Sequence, residues 1–194
     1  ADLPDISAEQ GDQLVRLARS AMVEYLKTRV DPTAVAIPAG LKPLSKRNSA
    51  VAVTLRSDGA TIALEVHNSR DLCTNLIIAS LCGMRSPSLP DRIDEKVLAG
   101  LTVEVEVLGE PRPVDLDVLE PVMIPGLTGI QLGRGPSAGF ALPAGCYVLG
   151  RTTAGMLGDA QRRHGPLPAD AKPADAQVAI FVERHFVGYP GARA

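Results

Sequence analysis

Tryptophan is missing from this 194-residue chain, and the aromatic residues together make up only 3% of it. A core without large rings has to be assembled from Val, Leu, Ile and Ala. The same scarcity removes the stacking platforms that single-stranded nucleic-acid binders need, and a formal net charge of -2 removes the basic groove that goes with them. Nucleic acid is therefore not an expected partner. Cysteine is scarce as well. Cys73, Cys82 and Cys146 are an odd number without C-x-x-C spacing, which fits neither a disulfide scaffold nor a zinc ribbon and suits a reducing, cytoplasmic compartment. No run approaches the ~20 apolar residues of a membrane span; patches such as Leu76-Ile77-Ile78-Ala79 are far shorter, so no membrane partner is expected. The chain begins with Ala rather than Met, which fits removal of preceding residues, a signal peptide or an upstream domain among them.

What is present is ordinary globular material: 45% apolar and 22% charged residues in a length suited to one domain. Residues 7–28 read as a helix, with Leu14, Leu17, Ala18, Ala21, Met22, Tyr25 and Leu26 on one stripe and a capping box from Ser7 and Gln10. Residues 30–43, with three prolines, read as a loop. Alternation at Val51, Val53 and Leu55, a turn at Ser57-Asp58-Gly59, and renewed alternation at Ile62, Leu64 and Val66 predict a β-hairpin. A second helix follows, capped by Asn68 or Ser69 and ended by Gly83 in a left-handed conformation. Residues 84–90 read as a loop and 91–99 as a short helix. The strand 101–108 places Leu101, Val103, Val105 and Val107 inward and Thr102, Glu104 and Glu106 outward on a solvated face, the antiparallel pattern. Residues 114–119 read as a strand, 129–142 as a glycine-rich hairpin, 152–164 as a third helix and 177–183 as a last strand. Residues 1–6 and 188–194 read as flexible ends. Hairpins without regular strand–helix crossovers give an α+β class, a mainly antiparallel sheet with packed helices.

The order of these segments resembles the AMMECR domain family nearly end to end. The resemblance is carried by Leu14-Val15-Arg16-Leu17-Ala18-Arg19 with Tyr25-Leu26, and by Val51-Ala52-Val53-Thr54-Leu55 ahead of Asp58-Gly59. The strand 101–108, the hairpin ending Gly139-Phe140-Ala141-Leu142-Pro143 and the closing Ile180-Phe181 complete it. It implies an α+β fold around an antiparallel sheet in two unequal lobes, without an established reaction. It also implies a shared pathway with Memo-like and radical-SAM proteins, beside which similar proteins tend to sit. This chain departs from the family where chemistry is usually sought. Counted without gaps from Asp58-Gly59, the positions of the Leu-Arg-Gly-Cys-Ile-Gly signature hold Thr61, Ile62, Ala63, Leu64, Glu65 and Val66. Ile62 stands for the Arg and Leu64 for the Cys. The Asp-Pro-Arg-Phe run is replaced by Gly83-Met84-Arg85-Ser86-Pro87.

The remaining candidates for chemistry are Glu65, His67, Arg70 and Arg85. Glu65 and His67 are two apart on one strand and so share a face, with Arg70 close behind; a carboxylate, an imidazole and a guanidinium together suit anion binding or acid/base work. Positions two apart on a strand are equally where solvated charges sit. Cys73 and Cys82 are nine residues apart on a helix, two and a half turns, and point to opposite sides, so they share no metal; they and Cys146 read as core. Arg162, Arg163 and His164 offset the helix dipole. Gly133-Arg134-Gly135 lacks the spacing of a phosphate loop, and Ser20, Ser80 and Ser137 lack a nucleophile elbow. His185, beside Arg184 and Glu183 at the end of a strand, carries no signal of its own. No metal or cofactor is expected. The leading expectation is an AMMECR-like protein-interaction or ligand-binding module without catalysis of its own. The alternative is an enzyme or enzyme component of a Memo- or radical-SAM-linked pathway, which requires Glu65, His67, Arg70 and Arg85 to converge in a pocket. A third is a structural module of a larger chain.

Overall fold

A computed structural model describes residues 5–30, 35–90, 93–164 and 177–191. Among the described residues, seven strands form an antiparallel sheet in the order β2-β1-β3-β7-β5-β6, with β4 also on β7. The strands are β1 (Val51–Ser57), β2 (Ala60–His67), β3 (Thr102–Leu108), β4 (Arg112–Pro113), β5 (Thr128–Leu132), β6 (Gly139–Ala141) and β7 (Val178–Gly188). The helices are α1 (Ala8–Thr28), α2 (Leu72–Gly83), α3 (Glu95–Ala99), α4 (Leu119–Val122), α5 (Ala144–Val148) and α6 (Thr153–His164). The class is α+β. None of the described helices is long and apolar enough to cross a membrane. The described residues divide into two compact units, those of 5–107 with 184–191, and those of 108–183.

In the first unit, α1 starts where Ser7 and Gln10 form their capping box, the Ser7 hydroxyl accepting from Gln10 N at 3.1 Å and the Gln10 amide oxygen accepting from Ser7 N at 3.0 Å. Leu14, Ala18 and Met22 of α1 and Leu72, Leu76 and Ala79 of α2 bury against Val51, Val53, Leu55, Val103, Val105 and Val107, each large side chain contributing about 1.5–3 kcal/mol. The β1–β2 turn uses left-handed φ at Asp58 (49°) and Gly59 (81°), the combination that a two-residue hairpin with the strands' own twist demands. An irregularity after Leu55 leaves Ile62 as an extra residue between the pairs Leu55–Ala63 and Arg56–Thr61.

Several sequence expectations are corrected. Helix α2 is capped by Asp71, whose carboxylate accepts from Thr74 N at 3.1 Å, rather than by Asn68 or Ser69. Gly83 ends it in ordinary right-handed geometry, with Leu55 against it. Residues 114–119 are not a strand: after the two-residue β4, the chain makes a helical turn at Leu116–Val118 and enters α4. The ends are tied down where they are described. Ile6 is buried, Gly188 closes β7, and Gly191 N donates to the Ala99 carbonyl at 2.8 Å. The His164 side chain and Gly165 lie outside the described residues.

In the second unit, β5 and β6 form the glycine-rich hairpin expected from sequence, with Ile130 opposite Ala141 and Leu132 opposite Gly139. Gly133 and Gly135 take φ of 76° and 66° at its turn. Met156 and Ala160 of α6 cover Ile130, Leu132, Ala141 and Val178.

Candidate functional site

The four residues singled out from sequence sit around the edge strand β2 and α2. Val53 pairs with Glu65 and Val51 with His67, so both polar side chains share the face that α2 covers. They do not lie on an open, solvated face, and both are half-buried. His67 is bound to Asn75, which is fully buried in α2. Asn75 Nδ2 donates to the carbonyls of Ser49 (2.8 Å) and Arg70 (2.7 Å), and this fixes the amide's orientation. Its Oδ1 therefore accepts, from Arg70 N and from His67 Nδ1, each at 2.9 Å, so His67 carries its proton on Nδ1. The exposed Arg70 side chain and that of Glu65 make no hydrogen bond or ion pair among the described residues. Arg85 lies over the Tyr25 ring, 5.5 Å from its centroid. Asn75 thus joins His67 to the Arg70 backbone, while Arg85 is held by a different element.

A denser polar group lies on the opposite face of the same strands. In β1 and β3 the residues facing away from the helices are buried too: Thr54 is 1% exposed, Glu104 8% and Glu106 1%. The solvated face expected for Glu104 and Glu106 does not exist. Thr54 pairs with Glu104 and Ala52 with Glu106, which places small side chains across from both carboxylates. Arg56, the next residue of β1 on this face, donates from Nε to Glu104 Oε1 at 2.7 Å and from Nη1 to Thr61 Oγ1 at 2.5 Å. His185 of β7 brings Nε2 to 3.6 Å from Glu104 Oε2. Burial acts to raise the Glu104 pKa, but hydrogen bonding and positive charge from His185 and Arg56 outweigh it and hold it at about 2. Glu104 is an ionised carboxylate at any physiological pH. Of the buried oxygens here, Thr54 Oγ1 has no hydrogen-bond partner among the described residues, and Glu104 Oε2 has only the longer 3.6 Å approach of His185 Nε2.

Sequence reasoning passed over this group because Val-Glu-Val-Glu-Val reads as a half-exposed strand. A signal was available in β1. Val51-Ala52-Val53-Thr54-Leu55 has no charge on either face, the composition of a strand buried on both sides, and a neighbour's glutamates are then buried beside it.

Comparison with known proteins agrees with the fold. No protein-family model matches the chain. A protein from Methanococcoides burtonii is 30% identical over 143 residues, covering 71% of this chain and 69% of that protein. This chain belongs to the same family as that archaeal protein. The crystal structure of an uncharacterized protein from Pyrococcus horikoshii superposes with a TM-score of 0.75 over 95% of each chain, at 24% identity. It shares the fold of the family member described here.

Proposed function

We propose that this chain is an AMMECR-like ligand-binding domain without catalysis of its own, and that it holds its ligand at the Thr54–Arg56–Glu104–Glu106–His185 group. One observation carries this reading. A buried face keeps an ionised carboxylate and a hydroxyl that the described residues leave partly unsatisfied. Each such group costs about 1–3 kcal/mol, and polar groups retained at that cost are characteristic of functional sites. The absence of the Arg and Cys of the family signature, replaced by Ile62 and Leu64, favours binding over turnover. Three free cysteines favour the cytoplasm.

Thr54→Val tests the reading directly. Valine keeps the shape and removes the hydroxyl, so a ligand-binding hydroxyl gives a variant that is more stable than wild type in the ligand-free state. A less stable Thr54→Val protein would mean that the hydroxyl serves the fold, and the reading would fail.

A second reading, a protein-interaction surface, is favoured by the turn Ile124-Pro125-Gly126-Leu127. Pro125 precedes Gly126, whose φ is 76°, the geometry of a type II turn. The turn holds Ile124 and Leu127 out at 54% and 60% exposure. A Memo-like or radical-SAM protein is the partner implied by the resemblance. Titration of such a protein from the same genome against wild type and Ile124→Ser/Leu127→Ser decides it: equal binding, or none, removes this reading.

A further inference from the structure

We propose that the ligand of this site is a divalent transition-metal ion, Zn2+ or Mn2+, bound by Glu104, Glu106 and His185; this rests on the binding-site reading above.

The donor set is suited to such an ion. One ligand atom from each of Glu104, Glu106 and His185 lies within 4.8 Å of the other two, and the Glu104 Oε2 to His185 Nε2 separation is 3.6 Å. Bonds of about 2.0–2.2 Å at tetrahedral angles put two ligand atoms about 3.4 Å apart, so that edge needs only a small movement to close on an ion. Two carboxylates with one imidazole select a borderline or moderately hard divalent ion rather than a thiophilic one.

The surroundings supply what a metal site requires beyond its ligands. Arg56 engages Glu104 Oε1 and leaves Oε2 turned toward His185, the outer-shell hydrogen bond that orients a ligating carboxylate. Thr61 in turn holds Arg56. Thr54 is the independent pointer to a ligand. It is the cross-strand partner of Glu104 on the same face, 1% exposed, and its Oγ1 has no hydrogen-bond partner among the described residues. Three protein ligands leave a fourth position for water, and a metal-bound water beside Thr54 gives that hydroxyl the hydrogen bond it lacks. His185, 38% exposed on its side chain, provides the route by which the ion and solvent reach an otherwise buried group.

The test is calorimetric titration of chelator-treated protein with zinc chloride and with manganese chloride. Co2+ absorption spectra serve as a second readout of ligand number and type. One ion per chain is expected, with affinity reduced more than about a hundredfold in Glu106→Gln and His185→Gln. Thr54→Val is expected to lose about tenfold, within the range of outer-shell changes, and His67→Gln to bind as wild type. His185→Gln changes the exposed edge of the site and stays informative if Glu106→Gln does not fold. No ion bound by wild type, or binding unchanged in His185→Gln and lost in His67→Gln, would overturn the proposal. If no ion binds but Thr54→Val is stabilised, the metal is wrong and the binding site stands. If Thr54→Val is destabilised, the binding-site reading fails as well.

Discussion

Arg56 reaches across from β1 and closes a 2.7 Å hydrogen bond from its Nε to Glu104 Oε1, both side chains being largely buried. Taking either partner away leaves a buried charge unanswered, at a typical loss of about 3–5 kcal/mol, whereas replacing both by apolar residues is often neutral. Arg56→Met is therefore expected to be strongly destabilised at pH 7, and Arg56→Met/Glu104→Leu close to wild type. The pH dependence follows from the Glu104 pKa, which lies at about 2 against the ordinary 4.5 of a glutamate. Because the folded value is the lower, the stabilisation is complete above about pH 4.5 and is lost as pH falls toward 2. Urea melts between pH 7 and 2.5 check this. In Arg56→Met the loss should begin at higher pH; an unchanged profile would mean that Arg56 does not hold the Glu104 charge.

Arg19 is buried in α1, and its guanidinium donates to four backbone carbonyls: Leu98 (3.2 Å), Leu101 (2.8 Å), Gly188 (3.0 Å) and Tyr189 (3.2 Å). Burial lowers its pKa, yet an arginine stays charged. It ties α1 to the α3–β3 connection and to the end of β7. Arg19→Met keeps much of the stem packing and removes these donors; the Leu98 carbonyl still accepts from Leu101 N at 3.1 Å, so the expected loss is about 3 kcal/mol, at roughly 1–3 kcal/mol per buried group left unsatisfied. Hydrogen exchange would locate the damage. Protection should fall at residues 98–101 and 188–191 first, and a loss spread evenly over the first unit would contradict the assigned role.

Two glycines of the second unit separate steric from conformational need. A Cβ on Gly129 would stand 2.3 Å from the Phe181 ring and 2.7 Å from the Ala141 carbonyl oxygen. Gly135 has open space around it but takes a φ of +66°. Gly135→Ala is expected to cost about 1 kcal/mol for the left-handed backbone, and Gly129→Ala about 2–3 kcal/mol for overpacking. Adding Phe181→Leu should not rescue Gly129→Ala fully, since the carbonyl stays in place. Chemical denaturation of the three variants gives the ranking.

The framework of the fold was legible because local signals and burial agree there. Ser7 with Gln10 marks the start of α1, Asp58-Gly59 demands its turn whatever surrounds it, and Gly133 to Gly139 brings β5 onto β6. The α2 cap was misplaced because Asn68, Ser69 and Asp71 all qualify chemically, and only the position at which the strand gives way to the helix selects Asp71. Residues 114–119 look like a strand by composition, but Pro121 sits within the helical turn that follows and β4 pairs over only two residues. The candidate site was hidden for a different reason. Alternation reports which residues share a face and not whether that face is covered, so Glu104 and Glu106 were placed on the right side of the sheet and in the wrong medium. His185, distant in sequence, becomes meaningful only beside them.

Cys73 offers a measure of how firmly α2 is seated. It is buried, and burial followed by the charge of Asp71 raises its pKa to about 11. Only about one molecule in ten thousand then carries the thiolate at pH 7, and the thiolate is the reactive form. Cys82 is partly exposed. Alkylation followed by peptide mass mapping should modify Cys82 well before Cys73 in native buffer. Cys73 reacts through opening of α2, so its rate tracks the stability of that helix rather than its own chemistry. Asp71 supplies the handle, since its carboxylate accepts from Thr74 N at 3.1 Å and from Thr74 Oγ1 at 2.7 Å at the helix start. Asp71→Ala removes a cap worth about 1 kcal/mol together with the nearby negative charge, and both changes push Cys73 labelling upward, by about fivefold from the cap alone. Asp71→Asn keeps most of the capping ability and removes only the charge, so it should lie between Asp71→Ala and wild type. Labelling of Cys73 as fast as Cys82 in the unmodified protein would show that α2 is not held as its contacts require.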